Sequence, residues 1–121
     1  MKHLIKPMLL LLFLGFVVAS IAARPAPVQL QILSVSDWHA QLDPLSGGIG
    51  GAAAISTYWQ ADRAANPNTL TFTAGDAYGA SPPLSSFFNE EPAVLTMNAM
   101  GFNADTFGNH NFDRGISHLQ Q

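Results

Sequence analysis

Cysteine is absent from all 121 residues. That excludes disulfides, thiolate metal ligands and a cysteine nucleophile. Export without disulfides is ordinary for a bacterial periplasmic enzyme, whereas small secreted eukaryotic domains often rely on bridges. Basic residues are scarce as well. Beyond position 23 only Arg24, Arg63 and Arg114 stand against eight Asp and Glu, a net charge of −5. No basic stretch remains, so a nucleic-acid polymer held by phosphate neutralisation is not an expected partner. A small substrate carrying phosphate would need metal ions to bring positive charge. Gly47, Gly48, Gly50 and Gly51 do not form a Walker-type phosphate loop, because no Gly-Lys-Ser/Thr follows. Internal repeats and low-complexity segments are also missing.

The one long apolar run lies at the start. Lys2, His3 and Lys6 precede Met8 to Ala19, and Ser20-Ile21-Ala22-Ala23 then leads into Arg24-Pro25. A basic start, an apolar middle and small residues at a cleavage point make a secretory signal peptide over 1–23, cut after Ala22 or Ala23. The alternative is a membrane anchor, but the run is shorter than the roughly 20 residues a spanning helix needs. The mature part, 24–121, is then expected to be periplasmic or secreted, with no stable membrane insertion. It is enough for one small domain at most.

Hydrophobic periodicity divides that part into alternating elements. Residues 28–36 read as a strand, from the alternation of Val28, Leu30 and Ile32 followed by Leu33 and Val35. A polar loop and the glycine cluster follow, then a helix over 52–65 stopped by Asn66-Pro67-Asn68. Residues 69–74, rich in β-branched and aromatic side chains, predict a second strand. A short helix over 84–88 precedes a clearer one from Glu91 or Pro92 to Met100, ended by Gly101. Residues 104–107 read as a third strand, and a final helix begins at Ile116. The order β-α-β-α-β-α implies parallel strands joined by right-handed crossovers. The polar loops then all leave carboxyl ends of strands, where open α/β sheets bind ligands. Tyr58 and Trp59 are expected in the core, and Glu90-Glu91 as an acidic helix start.

Chemistry-bearing residues concentrate in those loops. Asp37 and His39 are two apart, so in an extended segment both can face one ion. Mixed oxygen and nitrogen ligation suits Zn, Mn or Fe better than Ca. Taken alone, Asp-x-His is more often a polar loop with a chance histidine. Asp76 follows Gly75 after the second strand; its two oxygens could bridge two cations, or it could serve as a turn or cap aspartate. Gly108-Asn109-His110-Asn111-Phe112-Asp113 offers an amide oxygen as neutral ligand and an imidazole as ligand, charge stabiliser or proton donor. Asp113 is spaced to orient His110. His118, on the last helix, reads as a solvated or packing histidine.

Taken together, these motifs are much more specific. Ser36-Asp37-Trp38-His39, Gly47-Gly48, Gly75-Asp76, Met97-Asn98-Ala99-Met100-Gly101 and the 108–113 stretch resemble the calcineurin-like metallophosphoesterases. The nearest branch is that of secreted 5′-nucleotidases and 2′,3′-cyclic-nucleotide phosphodiesterases, and the likeness covers essentially 28–121. It implies an α/β fold, the N-terminal part of a four-layer α/β/β/α sandwich with a binuclear metal centre. It implies that Asp37 and His39 bind a first divalent ion (Zn, Mn or similar), that Asp76 bridges both and that Asn109 binds the second. It gives His110 the stabilising or protonating role, with Asp113 as its partner, on a nucleotide substrate. Two residues depart from the family: Ala40 stands where glycine is common, and Asn111 where an acid is common. The resemblance also implies later metal-binding histidines and a substrate-binding C-terminal domain beyond Gln121. The chain is therefore expected to be an N-terminal fragment with negligible phosphatase activity alone. Two alternatives remain open: a relative acting on a sugar nucleotide or thiosulfate conjugate, and a non-enzymatic secreted protein keeping the fold.

Overall fold

The computed structural model describes residues 25–120. The expected signal segment, 1–23, lies outside the described residues. Two strands, β1 (Gln31–Val35) and β2 (Thr69–Thr73), pair in parallel, with Leu33 opposite Thr71. The crossover between them is helix α1 (Ala52–Ala65). Parallel pairing follows from that crossover, since a hairpin turn cannot return the chain to the same end of the sheet.

The ends of α1 coincide with those expected from the sequence. Gly51 caps it at φ 82°, and a Cβ there would come within 2.8 Å of the Pro44 nitrogen. Only glycine fits that approach, so the expected close packing at the helix start holds for Gly51. A Cβ on Gly47, Gly48 or Gly50 would meet nothing within 4 Å, and these three instead take positive φ of 83°, 75° and 71°. Asn66, extended, closes the other end with its N–H on the Asp62 carbonyl.

Beyond β2 come α2 (Pro83–Ser86) and α3 (Glu91–Met100). Gly101 ends α3 in the left-handed region, and the Phe102 N–H returns to the Met97 carbonyl at 3.2 Å. This Schellman-type closure turns Phe102 back into the core. There it meets Trp59 edge-on at a 5.0 Å centroid distance and stacks near Trp38 at 6.4 Å. Leu33 and Val35 of β1 pack against this cluster with Ile55, Trp59, Met97 and Met100. One face of the sheet is thus covered by α1 and α3. The alternate residue Ile32 remains 60% exposed on the other face, as period-two alternation requires.

Two expectations need correction, the burial of Tyr58 and the third strand. Trp59 is buried, but Tyr58 is 73% exposed, because one step along a helix turns the side chain by about 100° away from the core stripe. Glu90 and Glu91 do start α3, as expected; Glu90 is buried there, left-handed at φ 66°, and accepts the Ser85 hydroxyl at 2.7 Å. The third strand reduces to a single parallel bridge between Phe72 and Ala104. Side chains take over the ladder on either side of it. Asn103 Oδ1 accepts the Thr71 N–H at 2.7 Å, and the Thr106 N–H donates to Thr73 Oγ1 at 2.8 Å. The 108–113 loop contains a 3₁₀ turn (His110–Phe112), and the last helix, α4, is short (Ile116–Leu119).

Candidate metal centre

Pairing between the first two chain segments continues past the strands. Backbone N–H groups of Asp37, His39 and Ala40 donate to the carbonyls of Gly75, Asp76 and Ala77 at 3.1, 3.0 and 2.8 Å. This stitches the loop after β1 to the loop after β2. Asp37, His39, Ala40 and Asp76 all adopt positive φ, between 48° and 52°. Such values are uncommon for residues with a Cβ and cluster where a side chain must be aimed.

The side chains so aimed converge. One ligand atom each from Asp37, His39 and Asp76 lie within 4.8 Å of one another. The His39 Nδ1–H donates to the Gly79 carbonyl at 2.8 Å. A carbonyl only accepts, so this bond fixes the tautomer and leaves the Nε2 lone pair free for an ion. The Ser36 hydroxyl donates to Asp37 Oδ2. Asp76 is only 6% exposed, and its Oδ1 accepts the His110 N–H at 2.9 Å. Among the described residues the one ion pair is His110 with Asp113, so no lysine or arginine neutralises Asp37 or Asp76. A buried carboxylate beside another, with no basic side chain, is costly unless a cation is shared. Two carboxylates and one imidazole with a free lone pair therefore fit a divalent ion such as Zn or Mn.

His110 stands at the rim of this group. Its ring lies edge-on to that of His39, with centroids 5.2 Å apart. Its Nδ1 bonds Asp113 Oδ2 at 2.8 Å. The bond to Asp113 raises the His110 pKa above its ordinary value; the charges of Asp113, Asp76 and Asp37 act the same way, against a smaller opposing effect of burial. Asn109 is exposed and begins the 3₁₀ turn, one residue before the N–H that binds Asp76.

All the residues anticipated from sequence thus gather at one end of the sheet: Asp37, His39 and Asp76 as a cluster, His110 and Asp113 as a pair beside it, and Asn109 in the turn that joins them. Other residues went unanticipated. Gly79, at φ 89°, supplies the carbonyl for His39 and presses against His110, whose Cβ lies 2.9 Å from where its own Cβ would be. Tyr78, Glu90, Arg114 and His118 border, with His110 and Asp113, a cleft of about 250 Å³. Arg114 Nη1 donates to Asn89 Oδ1 at 2.9 Å on its wall. Only the repeated glycines of 75–79 hinted at this in the sequence.

Fold and site define the class: an α/β protein with an Asp-His-Asp group that could hold a metal ion at the carboxyl ends of parallel strands. Known proteins narrow it. No family model matches the chain. It is 35% identical over 103 residues to the endonuclease YhcR of Bacillus subtilis, covering 76% of this chain and 8% of that protein. It is 34% identical over 108 residues to the 5′-nucleotidase of Bos taurus, covering 81% of this chain and 18% of the relative. Among solved structures, the NAD nucleotidase of Haemophilus influenzae superimposes with a TM-score of 0.66 at 32% identity, over 75% of this chain and 18% of that one. The chain therefore spans less than a fifth of each of these proteins. It belongs to the calcineurin-like metallophosphoesterases, in the branch of these nucleotidases.

Proposed function

We propose that the full-length protein is a periplasmic or secreted phosphoester hydrolase acting on nucleotides, in the manner of a 5′-nucleotidase. One convergence carries this reading: Asp37, His39 and Asp76 within 4.8 Å of one another, with the His110–Asp113 pair at their rim. Kinship with a 5′-nucleotidase and an NAD nucleotidase supports the substrate class. The site would take two divalent ions, Zn or Mn, with Asp37 and His39 on the first, Asp76 bridging and Asn109 on the second. When bound, such ions supply Lewis-acid stabilisation and a low-pKa water.

The chain's own residues do the rest. Asp76 holds one oxygen on the His110 N–H, which sets the 108–113 turn against the metal-binding group. Asp113 occupies His110 Nδ1 and favours its protonated form, so Nε2 can donate to the leaving oxygen. His39, locked as the Nδ1–H tautomer by Gly79, offers only Nε2 to an ion. Among the described residues no helix is long and apolar enough to cross a membrane. The net charge of −5 beyond position 23 disfavours a polymer substrate.

The test is product formation by the purified full-length protein, loaded with Mn²⁺ or Zn²⁺: phosphate from AMP, nucleoside monophosphate and sugar phosphate from a sugar nucleotide, sulfate from a thiosulfate conjugate and shortened oligonucleotides from single-stranded DNA. AMP is expected to be cleaved fastest, with activity lost on chelation and restored by metal. Preference for the sugar nucleotide or thiosulfate conjugate would move the protein elsewhere in the family. Preference for DNA would align it with its Bacillus relative. Turnover unaffected by chelation, or none on any substrate, would overturn the proposal.

A further inference from the structure

Asn111 is 2% exposed, and the turn around it depends on one half of its amide. Oδ1 accepts the Gly108 N–H at 2.7 Å. Nδ2 has no partner, the one buried side-chain polar atom so placed among the described residues. The amide cannot be turned round, since its NH₂ would then face the Gly108 N–H, donor against donor. For folding alone this is a poor side chain, because half of it is desolvated without compensation. The satisfied half has a consequence at the metal group. Gly108 lies hard against Asp76: a Cβ on Gly108 would collide with the Asp76 carboxylate and come within 2.7 Å of its backbone nitrogen. The same carboxylate accepts the His110 N–H at 2.9 Å. Asn111, Gly108, Asp76 and His110 thus form a closed ring of constraints.

We propose that Asn111 is a positioning residue: by holding Gly108 it seats the Asp76 carboxylate for metal binding and sets where His110 stands. The metal part of this inference rests on the function proposed above; the hold on Gly108 does not.

Two variants of the full-length protein test it. Asn111→Leu keeps the approximate shape and removes the acceptor. Asn111→Asp keeps an acceptor oxygen and removes the orphaned donor. Amide hydrogen exchange at Gly108 and His110 is read in the metal-free protein, and Mn²⁺ affinity by titration. The leucine variant is expected to lose protection at both amides and about 10- to 100-fold in Mn²⁺ affinity, the range of outer-sphere changes, with an unchanged thermal midpoint. The aspartate variant should keep protection and stay within about threefold of the parent affinity. Parent-like exchange and affinity in the leucine variant, or an aspartate variant as impaired as leucine, would overturn the proposal. An affinity loss that merely tracks a falling thermal midpoint would also overturn it. If the leucine variant does not fold, the aspartate variant decides alone, since loss of protection there is equally fatal. If the parent protein binds no Mn²⁺, the functional reading fails, while the exchange data still decide whether Asn111 holds the turn.

Discussion

The loops that follow β1 and β2 are built differently from the 108–113 loop beside them. In the first two, Asp37, His39, Ala40 and Asp76 all hold left-handed backbone, and three backbone hydrogen bonds bind one loop to the other. In the third, Asn109 and Asp113 have ordinary right-handed values, φ −68° and −55°. That loop is tied to its neighbours through a side chain, Asp76 Oδ1 on the His110 N–H. Non-glycine residues in the left-handed region cost on the order of 1 kcal/mol each, and they persist only where surrounding bonds over-determine them. The cost is thus spent where carboxylates and an imidazole must be aimed at one point. His110 and Asp113 need no such outlay: an i, i+3 spacing in a helical turn already puts them side by side.

If that contrast is right, Asp76 is the hinge of both halves. Asp76→Ala removes a candidate ligand and the anchor of the third loop together. The full-length variant is expected to lose more than about 100-fold in metal affinity, beyond the range of outer-sphere changes, and hydrolysis with it; elemental analysis after desalting checks the first. Full metal content would break the contrast outright.

Gly108→Ala probes the close approach instead. The added methyl has no room beside Asp76, and overpacking of this kind costs about 1–3 kcal/mol. Denaturant unfolding should show that loss, with metal affinity reduced as well. A variant of parent stability would mean that the third loop yields more easily than its contacts imply.

Asp113→Asn tests whether the third loop tunes its histidine without help from the first two. Asp113 is the largest cause of the raised His110 pKa. Its neutralisation should therefore move the midpoint of the His110 ring resonances downward in an NMR titration of the metal-free protein. A midpoint that does not fall would assign the shift to Asp76 and Asp37.

The smallest effect is expected from Ala40→Gly. Ala40 is fully buried at φ 48°. Relief of its strain, about 1 kcal/mol, is offset by the lost burial of one methyl, about 0.8 kcal/mol, and by a more flexible unfolded chain. Unfolding free energies within about 1 kcal/mol of the parent are expected. A gain of twice that would show that the strained loop carries more stored energy than a single left-handed residue explains.

The regular elements were the legible part of this chain. The bounds of α1 follow from Gly51 and Asn66, and those of α3 from Pro92 and Gly101, because end signals of this kind act locally. The third strand misled. Residues 104–107 have strand-like composition, yet Asn103, Thr73 and Thr106 exchange ladder bonds for side-chain ones, a choice no periodicity records. The candidate metal group, Asp37, His39 and Asp76, was legible as residue types after strands. Its supports, Gly79 and Asn111, were not, since their roles arise from contacts between loops far apart in sequence. The glycine expected after the Asp-x-His motif has a physical meaning here: Ala40 occupies the left-handed backbone that glycine enters freely.

The link between Asp76 and residue 110 runs to a backbone N–H and ignores the side chain attached there. Almost any residue at 110 could keep that link. The group proposed to handle protons could therefore be exchanged while the Asp76 carboxylate, the proposed ligand, stays seated. In this arrangement the chemistry of the leaving group is replaceable without rebuilding the site.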